Sequence, residues 1–140
     1  MALRVLIMGL SGAGKTSLAT ILVEQLRKEF RVNWLNADAI RKLCNDWDFS
    51  DEGRIRQATR MREYADASND ITICDFIAAL PEQRKIFAPD ILVWIDTVEK
   101  CQYEDTNQAF VPPSYYDVYA TSQHWEKWSD QIIKLIKRKL

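Results

Sequence analysis

Histidine is nearly absent from this 140-residue chain, and glycine and proline are scarce, with four of each. The single histidine, His124, has no Ser or Cys partner pattern near it and reads as a surface residue. The three cysteines, Cys44, Cys74 and Cys101, form an odd set without metal-ligand spacing. Cys74 sits in an apolar strand-like run and reads as a buried thiol, which fits a reducing cytoplasm. No long apolar segment or cleavage-site pattern stands at the N-terminus, so neither a signal peptide nor a transmembrane span is expected, and the expected location is cytoplasmic. Net charge is −1, which gives no ground for a nucleic-acid or membrane surface. Repeats and low-complexity tracts are missing too. What remains is an ordinary globular composition, 47% hydrophobic and 28% charged, at a length that suggests one domain spanning residues 1–140.

Three of the four glycines are concentrated in Gly9-Leu10-Ser11-Gly12-Ala13-Gly14-Lys15-Thr16-Ser17. Gly9, Gly14, Lys15 and Thr16 satisfy G-x-x-x-x-G-K-[ST], and the context fits: an apolar run precedes the loop, and Leu18, Ile21, Leu22 and Leu26 follow at helical spacing. The glycines permit backbone angles and close approaches that a Cβ would block. The amides of residues 11 to 16 can then point at phosphate oxygens, at the positive end of the following helix. Lys15 would reach the β- and γ-phosphates, and the Thr16 hydroxyl would ligate Mg²⁺. The alternative is a tight strand-to-helix turn with an exposed lysine. Motif and context together favour a nucleoside triphosphate site.

The pattern predicts strands at Arg4–Met8, Arg31–Leu35, Asp70–Asp75 and Ile91–Ile95, the last apolar throughout as a strand buried on both faces should be. Helices are predicted over Lys15–Lys28, Ala37–Leu43, Pro81–Phe87 and Gln123–Lys139, with another capped by Ser50 and running to about Ala67. Residues 102–117 read as polar and irregular. This alternation predicts an α/β fold of the P-loop NTPase type, a parallel sheet with helices on both faces in three layers. Ligands in such sheets sit outside the carboxyl ends of the strands, which gathers the glycine-rich loop, Asp38, Asp75 and Asp96 onto one edge. Asp38 there suits either Mg²⁺ and an acceptor hydroxyl or the N-cap of the short helix after it. Asp75 suits either the Mg²⁺-side acid or a strand-end turn, and Asp96 with Thr97 reads as a cap of the next helical turn. Arg41, Arg54 and Arg60 could form an anion clamp, since a guanidinium fork binds two oxygens at once, or simply a solvated helix face.

The stretches GLSGAGKT, LNADAIRKLCNDWDFSDEGRIRQATRMREYA and CDFIAALPEQR resemble the adenylylsulfate kinase (APS kinase) family over residues 3–101, most strongly from 35 to 64. The resemblance implies transfer of the ATP γ-phosphate to the 3′-hydroxyl of adenosine 5′-phosphosulfate (APS), giving PAPS and ADP, with ATP and Mg²⁺ required. It implies Lys15 and Asp38 as catalytic residues, Thr16 and Asp38 at the metal with Asp75 as a further candidate, and residues Gly9 to Ser17 around ATP. An anionic, nucleotide-like acceptor would meet Asp38, Arg41, Phe49, Arg54, Phe76 and Ile77, with Phe49 stacked on its adenine and Arg54 at its anionic end. A homodimer is one implied assembly, and Trp125 and Trp128 suit either an interface or a cover for the sheet.

The chain departs from the family pattern in definite places. Ala78 stands where the family carries a phosphorylatable serine, so a phosphoserine there is excluded; in-line transfer needs none. Gln57 takes the place of a substrate-binding Asn, and Pro81 that of an Arg. The basic lid after Asp96-Thr97-Val98-Glu99-Lys100-Cys101 is replaced by residues 102–110, in which Phe110 is a candidate second stacking aromatic. Lids exclude water and bring cations to the transferring phosphoryl group, so either Arg60, Arg84 or a partner subunit replaces the lost charge, or the enzyme is slow, or the acceptor differs. These departures leave three readings: an APS kinase-like enzyme, a P-loop kinase for another nucleoside or nucleotide-like acceptor, and a non-catalytic nucleotide-binding module. Asp38→Asn separates the third from the others: a kinase loses about 10²–10⁴-fold in turnover while retaining ATP, and a binding module loses little.

Overall fold

The computed structural model describes residues 2–140. β1 (Leu3–Met8), β2 (Val32–Asn36), β3 (Ile71–Asp75), β4 (Ile91–Ile95) and β5 (Val118–Ala120) form one sheet in the order β2-β3-β1-β4-β5, and every pairing is parallel. The connecting helices are α1 (Lys15–Leu26), α2 (Ala37–Cys44), α3 (Asp51–Asp66), α4 (Pro81–Phe87), α5 (Glu104–Ala109) and α6 (Trp125–Lys139).

Alternation along the strands divides the apolar side chains between two cores. Val5, Ile7, Ile73 and Val93 face α1 and α6, where Leu18, Leu22, Ile132 and Ile136 complete one cluster. Leu6, Met8, Cys74 and Leu92 face the opposite way, onto Ile40 of α2, Met61 of α3 and Phe87 of α4. Helices therefore cover both faces, and the three-layer α/β/α architecture expected from the sequence is the one observed. Trp128 is buried in the first cluster, so the C-terminal aromatic face covers the sheet.

Two elements differ from the sequence expectation. Residues 102–117, read as irregular, contain α5, and β5 follows them as a fifth strand. α5 has no apolar stripe to reveal it. It is held by side-chain hydrogen bonds instead, from Asn107 Nδ2 to the Cys101 carbonyl at 2.9 Å and from Arg54 Nη2 to Thr106 Oγ1 at 3.0 Å. β5 is only three residues long, with Val118 and Ala120 buried and Tyr119 exposed, too short for alternation to signal a strand. Among the described residues no helix is long and apolar enough to cross a membrane.

The register brings Asn36, Asp75 and Ile7 side by side at the carboxyl ends of β2, β3 and β1. The chain reverses direction across the sheet around β1, so the loop after β1 lies at a topological switch point.

Ala88 ends α4 in the left-handed region, at φ 50°, where its N–H bonds the Arg84 carbonyl. A Cβ is unfavourable in that conformation, and glycine is the usual helix terminator there. Ala88→Gly is expected to stabilise the chain by about 0.5–1 kcal/mol, read as a higher urea midpoint at unchanged slope.

Candidate active site

The loop from Gly9 to Gly14 leaves β1 and enters α1 without a side-chain cap. Gly14 is the N-cap at φ 108°, so the first amides of α1 are left for a ligand at the positive end of the helix. Gly9 is needed for a different reason: a Cβ there would lie 2.6 Å from the Ile95 carbonyl oxygen. The loop is fastened from below by the Thr97 hydroxyl, which donates to the Ala13 carbonyl at 2.7 Å. Asp96 and Thr97 therefore cap no helical turn; Asp96 instead accepts from the Tyr119 hydroxyl. Lys15 is half-buried and donates to the Leu10 carbonyl at 2.9 Å. Burial pushes its ammonium down to about 8, against the raising influence of Asp75 and Asp38, so at neutral pH it is still charged.

Beside the loop, Asp75 is buried and accepts from Trp34 Nε1 at 2.7 Å and from Asn36 Nδ2 at 2.8 Å. Burial raises its carboxyl to about 6 even with those donors and the Lys15 charge opposing. The same Asn36 caps α2, its Oδ1 accepting from the Ala39 amide at 3.0 Å, and its Nδ2 lies 3.5 Å from Thr16 Oγ1. Asn36, and not Asp38, is thus the helix cap. Asp38 sits in the first turn of α2, exposed, and lines the cavity above the loop.

That cavity measures about 340 Å³, and Lys15, Thr16, Asp38, Arg41, Phe49 and Arg54 all line it. Gln57, Phe76, Ile77 and Ala78 also line it, with Gln83 beside them. Arg41 is buried; its Nη1 donates to the Asp46 and Asp48 carbonyls at 2.9 and 3.2 Å, and its guanidinium lies 4.2 Å from the centre of the Phe49 ring. Arg54 is buried as well, donating from Nε to the Phe49 carbonyl and from Nη2 to Thr106, with Asp105 3.9 Å away. Gln57 Nε2 donates to the Ala37 carbonyl, which ties α3 to the start of α2.

Other expected contributors lie elsewhere. Phe110 does not reach Phe49; it lines a smaller cavity with Leu10, Trp94, Asp96 and Pro112, on the side of the second core. Arg60 is paired with Asp46 and Gln57, and Arg84 is bound to the carbonyls of Ala78, Ala79 and Val111. Unlike Arg41 and Arg54, neither Arg60 nor Arg84 lines the cavity above the loop. Sequence reasoning missed Asn36, Trp34, Thr97, Thr106 and Gln83. Only Asn36 carried a signal, as a good capping residue directly before a helix.

A family model described as adenylylsulphate kinase matches residues 1–107. The chain belongs to the adenylylsulphate kinase family. The match ends inside α5. The structure is similar to that of the APS kinase of Mycobacterium tuberculosis in complex with AMPPNP and APS, with a TM-score of 0.81 and 21% identity over 97% of this chain and 98% of that one. It is also similar to a gluconokinase from Sinorhizobium meliloti (TM-score 0.70, 17% identity, 97% and 92% of the two chains). A shikimate kinase from Acinetobacter baumannii in complex with shikimate gives 0.68 and 16% over 99% and 95%. At these identities the likeness is one of fold. No curated protein matches the chain. Family and fold together make this a P-loop kinase.

Asn36→Asp keeps a capping oxygen but replaces the donor to Asp75 with a second carboxylate. A carboxyl raised in the folded state contributes stability below its unfolded value near 3.8 and loses it as pH rises through about 6, and a neighbouring acid moves that upper limit higher. The variant is expected to be destabilised by about 1–3 kcal/mol at pH 8 and by clearly less at pH 5. Urea midpoints at the two pH values check this; an equal deficit at both would refute the account of Asp75.

Proposed function

We propose that the chain is an APS kinase-like enzyme that transfers the ATP γ-phosphate to the 3′-hydroxyl of adenosine 5′-phosphosulfate. The observation carrying this reading is one cavity lined both by Lys15 and Thr16 and by Arg41, Phe49 and Arg54, with Asp38 in its wall and in electrostatic reach of Lys15 and Arg41. The free amides at the start of α1 and the Lys15 ammonium bind the polyphosphate. The Asp38 carboxylate orients the acceptor hydroxyl and receives its proton as the new O–P bond forms and the bond from the γ-phosphorus to the bridging oxygen of ADP breaks. The buried arginines hold the anionic end of the acceptor in low dielectric, where a charge-assisted hydrogen bond is strongest. Ala78 leaves no hydroxyl for a phosphorylated intermediate, so transfer is direct.

Thr16 and Asp38 suit Mg²⁺, with Asp75 behind them. Among the described residues no group of three or more His, Cys, Asp or Glu side chains stands ready to hold a metal. Kinases take Mg²⁺ from one or two protein oxygens and the phosphates, which is the role proposed for Thr16 and Asp38. When bound, the ion neutralises charge on the β- and γ-phosphates.

A second reading, a different hydroxyl acceptor, is favoured by one observation: Arg54 already donates to Thr106 and lies near Asp105, so part of its capacity for an anion is committed. ADP release from Mg-ATP with APS, against a panel of nucleosides, nucleoside monophosphates, gluconate and shikimate and with Lys15→Ala as the blank, decides between them. Turnover with APS alone is the expected result. Turnover only with another acceptor would retain the kinase and reject APS. No turnover with ATP still bound would reject the catalytic reading.

A further inference from the structure

Gly14 is hemmed in from a direction that the phosphate-loop motif does not explain. A Cβ built on it would lie 2.4 and 2.5 Å from Cζ2 and Cη2 of Trp125. A Cα–Cβ bond is about 1.5 Å long, so the edge of the indole lies within about 4 Å of the Gly14 Cα, in van der Waals contact with the N-cap of α1. Trp125 is the first residue of α6, which packs along α1 through Trp128, Ile132 and Ile136. It lies beyond residue 107, outside the segment matched by the family.

We infer that Trp125 is a positioning residue of the nucleotide site: its indole edge fixes the Gly14 peptide and so sets the direction of the amides that receive the polyphosphate. The inference rests on the reading of this loop as a nucleotide site, and not on the identity of the acceptor.

Two features make the contact specific. The Thr97 hydroxyl already holds the Ala13 carbonyl, so the peptide between Ala13 and Gly14 is fastened on one side by a hydrogen bond and on the other by the ring. Gly14 at φ 108° has no side chain of its own to restrict its backbone, and the freedom that allows this conformation would also allow others. A rigid aromatic edge restricts that freedom at small entropic cost to itself, because the indole has only two rotatable bonds and is already half-buried against the first core. Preorganised amides bind phosphate more tightly than amides that must first be ordered.

The test is equilibrium binding of Mg-ATP and of Mg-tripolyphosphate, which has no nucleoside, to the parent chain, Trp125→Ala, Trp125→Leu and Trp125→Phe, with Lys15→Ala as the non-binding control. The expected result is an increase in Kd of about threefold to tenfold for both ligands in Trp125→Ala, most of it restored in Trp125→Phe, with the KM of the acceptor unchanged. A loss confined to ATP would overturn the inference and assign the ring to the nucleoside. Parental Kd values for both ligands, even in a variant with a lower Tm, would also overturn it, since the ring would then serve only the core. Should Trp125→Ala fail to fold, Trp125→Leu against Trp125→Phe decides the matter in the same way. A parent chain that binds neither ligand would reject the nucleotide site itself, an outcome distinct from any of these.

Discussion

A single amide side chain joins the parts of this site. Asn36 donates to the buried Asp75, caps α2 and approaches the Thr16 hydroxyl, so the ends of β2 and β3, the start of α2 and the start of α1 all converge on it. The constraint behind this arrangement is electrostatic. A carboxylate at the end of a central parallel strand is out of water, and it must collect hydrogen bonds or take up a proton. Trp34 and Asn36 supply the hydrogen bonds. Because Asn36 caps the helix, Asp38 is released from that duty and can face the cavity. The position of the proposed catalytic carboxylate is thus a consequence of how a neighbouring buried acid is satisfied.

The central architecture was legible because local signals and the global fold agree there. The strands β1, β3 and β4 are apolar runs buried on both faces, Ser50 caps α3 as its position suggests, and the glycine-lysine-threonine loop lies between strand and helix where its chemistry requires. What escaped was whatever depends on long-range partners. α5 has a composition that signals nothing by itself, and the contacts that fix it come from Arg54, 52 residues away, and from the turn at Cys101. The arginines show the same limit: their spacing says that they share helix faces, but not that Arg60 is paired with Asp46 or that Arg84 is bound to backbone carbonyls. Phe110 illustrates it once more, since its aromatic character was plain and its direction was not.

α5 gives the proposed acceptor end of the cavity its character. α5 begins with Glu104 and Asp105 and sets Thr106 against the guanidinium of Arg54. Arg54 therefore orders α5 while lining the cavity, and Arg41 in the same way holds the Asp46–Asp48 turn while stacking on Phe49. Each buried cation meets its desolvation cost with backbone or hydroxyl oxygens, so the pocket is ordered before any anion arrives.

The two separate cores have a consequence for how such a chain can change over time. The helices around the glycine-rich loop, α1 and α6, are anchored in one core, and α2, α3 and α4, which surround the proposed acceptor end, are anchored in the other. The sheet stands between them as a wall. Substitutions that repack the acceptor side are insulated from the donor side except along the carboxyl edge of the strands, where Asn36 and Asp75 meet the loop. A lineage built this way can drift in what it phosphorylates while the machinery that handles the triphosphate stays fixed, provided that this one seam is left alone.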